Sequence, residues 1–102
     1  MKEGFVYILS NSKRTVLYTG VSGDLLSRTF IHKKNEGSIF SSKYRTHFLM
    51  YYEIHQNMYE AIKREKQIKK WKREWKMNLI RSVNPDLNDL WDEILPEGRF
   101  YF

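Results

Sequence analysis

Residues 4–10 (GFVYILS) form a run of apolar, aromatic and β-branched side chains, and residues 15–21 (TVLYTGV) repeat that character after four turn-like positions. Apolar side chains fall on both parities of each run, which predicts strands covered on both faces, paired as a hairpin. Ser22, Gly23 and Asp24 break the pattern and offer a helix cap. Residues 25–35 then read as a helix closed by Gly37, residues 38–46 as a polar loop and residues 47–54 (HFLMYYEI) as a third strand. A helical pattern covers residues 58–82, with room for one break, and Asn84-Pro85 stops it. The tail from Asp86 to Phe102 is short, acidic and aromatic and is expected to pack on the domain. The expected division is a domain over residues 1–90 and a tail over residues 91–102.

The chain has 102 residues, room for one small core. Its apolar share of 41% and aromatic share of 16% exclude a disordered chain. It has no cysteine, which excludes disulfides, thiolate metal sites and a cysteine nucleophile. No apolar run is long enough to cross a membrane. The N-terminal apolar run lacks the length and cleavage site of an export signal, so a soluble, cytoplasmic protein is expected.

Charge adds a direction. The formal net charge is +6, and residues 63–81 alone hold nine basic and two acidic side chains. Such a segment suits a polyanion, with nucleic acid preferred over an anionic membrane surface. On a helical wheel Met58, Ala61, Ile62, Ile68, Trp71, Trp75 and Leu79 share one arc, and both tryptophans read as core. Lys63, Lys66, Lys70 and Arg73 cluster on the opposite side as the candidate nucleic-acid-binding face.

Glu65 falls inside the apolar arc, where a carboxylate costs several kcal/mol unless it is paired, protonated or bound to a cation. An internal ion pair, with Arg28 for instance, is one explanation. Arg28 and His32 lie four apart and share a helix face. Tyr7 and Tyr18 stand on the two hairpin strands, as half-buried sheet aromatics or as something more. Gly20 marks either a bulge or a close approach by a ligand or helix. Used together, these groups suit phosphodiester hydrolysis: a carboxylate for one Mg²⁺ or Mn²⁺, a phenol to activate water and an arginine to clamp phosphate. Spacing alone does not compel that combination.

Phe5-Val6-Tyr7 followed by Tyr18-Thr19-Gly20 resembles the paired GIY and YIG tripeptides of the GIY-YIG nuclease superfamily. Asp24-Leu25, Arg28, His32, Tyr51-Tyr52-Glu53 and the run from Arg64 to Trp71 continue the resemblance in family order. The stretch from Trp75-Lys76 through Asn84-Pro85 to Asp89-Leu90 is similar to small stand-alone bacterial members, related to the N-terminal domain of the excision-repair nuclease subunit. The resemblance implies an α+β fold, a three-stranded antiparallel sheet flanked by helices. It implies metal-dependent DNA cleavage, with Glu65 holding Mg²⁺ or Mn²⁺, Tyr7 and Tyr18 as the tyrosine pair (Tyr7 favoured as general base), Arg28 as the family arginine and His32 orienting or sharing a proton relay. The family asparagine maps to Asn84, with Asn78 in reserve. The first tripeptide keeps only its tyrosine, and Thr19 replaces the middle isoleucine of the second. So small a domain has little surface for reading bases, so structure-selective or low-specificity cutting, or a protein partner that supplies the target, is expected. A nucleic-acid-binding module with little catalysis and a plain interaction domain are the other readings.

Overall fold

A computed structural model describes residues 2–34 and 39–95. Its strands are β1 (Gly4–Ser10), β2 (Leu17–Ser22) and β3 (Phe48–His55), and its helices are α1 (Leu25–Lys33), α2 (Ile39–Tyr44), α3 (Met58–Lys69), α4 (Arg73–Val83) and α5 (Trp91–Ile94). The strands form one antiparallel sheet in the order β2-β1-β3. The fold is therefore the expected α+β arrangement.

Both faces of β1 are buried, which explains why its apolar residues ignore parity. Val6 and Ile8 pack with Met50 and Tyr51 against Ala61, Ile68, Met77 and Ile80 of α3 and α4. Tyr7 and Leu9 face the other way, toward Leu25 of α1, Leu49 and Leu90. Ile94 packs against that second cluster, so the described part of the tail lies on the domain; residues 96–102 lie outside the described residues.

Local chemistry sets the helix starts. Asp24 caps α1 by accepting from the Ser27 amide at 3.1 Å, and Asn57 caps α3 by accepting from the Glu60 amide at 2.9 Å. The long helical pattern breaks at Lys70–Lys72, between α3 and α4. Arg73 at the start of α4 donates to the carbonyls of Thr15, at 2.9 Å, and Arg14, at 2.6 Å, and ties that helix to the β1–β2 loop.

Two expectations need correction. The segment read as a polar loop contains α2, because Phe40 and Tyr44 are spaced four apart and their tilted rings pack with centroids 4.7 Å apart. The wheel also assumed one straight helix, and the break rotates α4 away from it. Trp75 is consequently 51% exposed instead of core, whereas Trp71 packs against the core. Gly37, the expected helix terminator, lies outside the described residues.

Candidate active site

Tyr7 sits on the central strand with its side chain buried on the α1 side of the sheet. In the antiparallel ladder Tyr7 faces Gly20 and Leu9 faces Tyr18, so Tyr7 and Tyr18 are diagonal neighbours on one face. Gly20 is explained by this pairing: a β-carbon there would lie 2.4 Å from Tyr7 Cζ and 2.5 Å from its hydroxyl oxygen. Neither a bulge nor an approaching ligand requires the glycine; the Tyr7 ring itself does.

α1 carries the buried His32 against both rings. The Tyr7 hydroxyl lies 3.5 Å from His32 Nε2, at the outer limit of a hydrogen bond. The His32 ring is 6.0 Å from the Tyr7 ring and 5.4 Å from the Tyr18 ring, centroid to centroid. Burial, reinforced by the charges of Arg28 and His47, pushes the His32 imidazole down to about 4, so it is neutral at pH 7. Burial pushes the Tyr7 phenol well above its ordinary value, the nearby Tyr18 and Glu65 add to that shift, and Arg28 opposes it.

Arg28 is exposed one turn before His32, and its guanidinium has no hydrogen-bond or ion-pair partner among the described residues. Glu65 is buried on α3, which packs along β1 and β2. Its ion-pair partner is not Arg28. Lys69, one turn on, approaches Glu65 Oε2 at 2.8 Å from a largely exposed position. The i, i+4 spacing of Glu65 and Lys69 is the sequence signal that could have found this pair.

Among the described residues no three histidine, cysteine, aspartate or glutamate side chains gather closely enough to enclose a metal. One buried carboxylate suits a hard cation that keeps most of its waters, such as Mg²⁺ or Mn²⁺. It does not suit zinc, which takes three or four protein ligands, mostly from histidine and cysteine.

Other predicted site residues lie elsewhere. Asn84 is buried at the end of α4, and its amide is hydrogen-bonded to backbone. It donates to the carbonyls of Met50, at 2.9 Å, and Asn88, at 2.8 Å, and accepts from the Asn88 amide at 3.0 Å. Met50 is the extra residue where the β1–β3 register shifts, so Asn84 serves a carbonyl at an interruption of the ladder. These bonds use both Nδ2 hydrogens and one lone pair of Oδ1 and give Asn84 a structural part at the end of α4. Asn78 lies on exposed α4, against Trp71 and Trp75. Lys63, Lys66 and Lys70 are exposed as expected. Arg73 is exposed too, but its guanidinium is engaged by the two loop carbonyls.

The sequence reading missed Phe40, whose ring stacks on Tyr18 with centroids 5.8 Å apart and extends the aromatic wall outward from the tyrosine pair. It also missed the network around Glu53. Tyr51 donates to that carboxylate at 2.5 Å, Arg64 donates at 2.8 Å and His55 Nε2 lies 2.9 Å away. The network pins α3 to β3 one residue before Glu65.

The family described as the GIY-YIG catalytic domain matches residues 3–78. Two proteins named UPF0213 protein, from Staphylococcus aureus strains Mu3 and Mu50, are each 36% identical over 81 residues, which span 79% of this chain and 98% of theirs. No solved structure matches the chain significantly. With the matched span covering both tyrosine tripeptides, Arg28, His32 and Glu65, the chain belongs to the GIY-YIG catalytic-domain family.

Proposed function

We propose that the protein is a divalent-metal-dependent endonuclease that hydrolyses DNA phosphodiester bonds, with Tyr7, Tyr18, Arg28, His32 and Glu65 as its site residues. The single observation that carries this reading is the placement of His32 against both Tyr7 and Tyr18 within the matched catalytic domain.

Glu65 would hold one Mg²⁺ or Mn²⁺, which would neutralise phosphate charge and lower the pKa of water. Lys69 reaches Glu65 from solvent and is free to swing away as the cation takes its place. The Arg28 guanidinium, without an ion-pair partner among the described residues, offers paired donors to a phosphate, in a geometry that lysine cannot supply. Tyr7 does not act as a resting phenolate, because burial holds its proton on. Instead the attacking water gives its proton to the Tyr7 oxygen while Tyr7 passes its own to His32 Nε2. The imidazole is neutral at pH 7 and, as the Nδ1–H tautomer, presents Nε2 to that proton; the negative charge of a bound phosphate would raise its low proton affinity. Water oxygen then bonds to phosphorus, and the leaving oxygen departs on the opposite side. Tyr18 packs against His32 and, with Phe40, walls the site on its open side.

The test is cleavage of single-stranded, duplex and branched DNA with Mg²⁺ or Mn²⁺, comparing wild type with Glu65→Ala and Tyr7→Phe. Cleavage should require the metal, vanish in Glu65→Ala and fall roughly 10²- to 10⁴-fold in Tyr7→Phe. Unchanged metal-dependent cleavage in Glu65→Ala would overturn the reading and leave a binding module.

A further inference from the structure

The break between α3 and α4 creates a surface that the proposed active site does not use. Trp71, Trp75, Asn78, Leu79 and Ser82 line an open groove of about 410 Å³. Trp75 is 51% exposed, which is high for so large an apolar side chain. The two indoles meet edge to face, with centroids 6.3 Å apart and planes at 74°. The Arg64 guanidinium covers Trp71 at 5.1 Å, so Trp75 supplies the groove's free aromatic face.

The segment that carries the groove is strongly basic. Residues 69–81 hold six basic side chains and one acidic one. Lys69 is paired with Glu65, and Arg73 is held by loop carbonyls. Among the described residues no carboxylate pairs with Lys70, Lys72, Lys76 or Arg81. Lys76 adjoins Trp75 in half-buried surroundings, where burial and the charge of Lys69 lower its proton affinity. Lys72 and Lys76 stand next to Trp71 and Trp75 in the chain, so a ligand with both a flat ring and negative charge would use both features of the surface. A nucleobase carrying its phosphates uses both.

We infer that the Trp71–Trp75 groove is a stacking seat for an unpaired nucleobase, with Lys72 and Lys76 on the adjoining phosphates, so that α4 holds a single strand outside the catalytic pocket. The inference extends the nucleic-acid reading from the cleaved bond to the flanking strand. Its test is a binding measurement without metal, which reads out whether or not the chain cleaves.

The experiment is quenching of intrinsic tryptophan fluorescence by a short oligothymidylate, against a blunt hairpin duplex of equal nucleotide count, in wild type, Trp75→Ala, Trp75→Leu and Trp75→Phe. Oligothymidylate should quench and bind more tightly than the duplex. Trp75→Ala and Trp75→Leu should weaken binding roughly 5- to 100-fold, the loss of stacking on one base. Trp75→Phe should recover most of it, since an aromatic face returns, whereas Leu restores only apolar bulk. Lys72→Glu with Lys76→Glu should weaken binding and flatten its dependence on salt. Circular dichroism and the melting temperature establish that each variant is folded, and the lysine pair tests the site even if a tryptophan variant is not. Affinity unchanged within two-fold in Trp75→Ala, or equal loss in the Leu and Phe variants, would overturn the assignment. So would self-association abolished by Trp75→Ala, which would give the groove to a second copy of the chain.

Discussion

Gly20 lies across the β1–β2 ladder from Tyr7, and the Tyr7 ring fills the space that a side chain at residue 20 would occupy. Tyr7 is 2% exposed, so its hydroxyl direction is fixed by what surrounds the ring: the bare backbone of Gly20 beneath it and His32 at its tip. A substitution at residue 20 is thus a means of moving the phenol without altering its chemistry.

Gly20→Ala places a methyl group 2.4 Å from the ring, closer than any β-carbon can sit, so the ring must move. Overpacking of this kind typically costs about 1–3 kcal/mol. We expect a lower urea midpoint and a loss of cleavage larger than the fraction unfolded explains. Full cleavage at conditions where the variant is folded would show that the phenol's position does not matter.

His32 makes stability depend on pH with a definite sign. Its folded value of about 4 lies below the ordinary 6.5, so the unfolded chain binds the proton more readily. Stability is fully present above about pH 6.5 and falls as the pH drops toward 4. His47 is also shifted down, by burial and by Arg45 and Lys33, and contributes with the same sign. Urea midpoints measured across that window should decline in wild type and decline less steeply in His32→Gln, with His47 supplying what is left. Identical slopes would mean that His32 is not held neutral.

Asn84→Ala removes every hydrogen bond from the carbonyl of Met50 and the backbone of Asn88 that the side chain makes. Leaving such buried groups unpaired costs roughly 1–3 kcal/mol. The melting temperature should fall while the folded fraction, assayed at low temperature, retains its turnover. A variant that is stable but inactive would restore a place for Asn84 in the chemistry.

Thr19 occupies a position 4% exposed, and its hydroxyl has no hydrogen-bond partner among the described residues. It pairs with Ile8 across the ladder and therefore lies on the opposite face from Tyr18. Thr19→Val keeps the β-branched shape and removes the unpaired hydroxyl, so stability should rise by about 1 kcal/mol. A lower melting temperature for Thr19→Val would mean that the hydroxyl is satisfied in solution.

The strands, α1, the capping aspartate and the stop at Pro85 were legible because each rests on local pattern. Glu65 stood out because a carboxylate conflicts with the apolar arc around it. What the sequence hid depends on geometry between elements. The turn at Lys70–Lys72 rotated Trp75 out of the core, and nothing local distinguishes that break from one straight helix. The role of Gly20 needed the strand register, and the engagement of Asn84 needed the register shift at Met50, 34 residues away. α2 was passed over because its serines outweighed the Phe40–Tyr44 spacing.

The account rests on Glu65 as the seat of a divalent ion beside the tyrosine pair. Mn²⁺ titration followed by electron paramagnetic resonance, on wild type and on Glu65→Gln, tests it most directly, since glutamine keeps the shape and removes the charge. Wild type should bind one ion, and Glu65→Gln should lose that binding while its circular dichroism is unchanged. Equal Mn²⁺ binding by both chains would contradict the assignment.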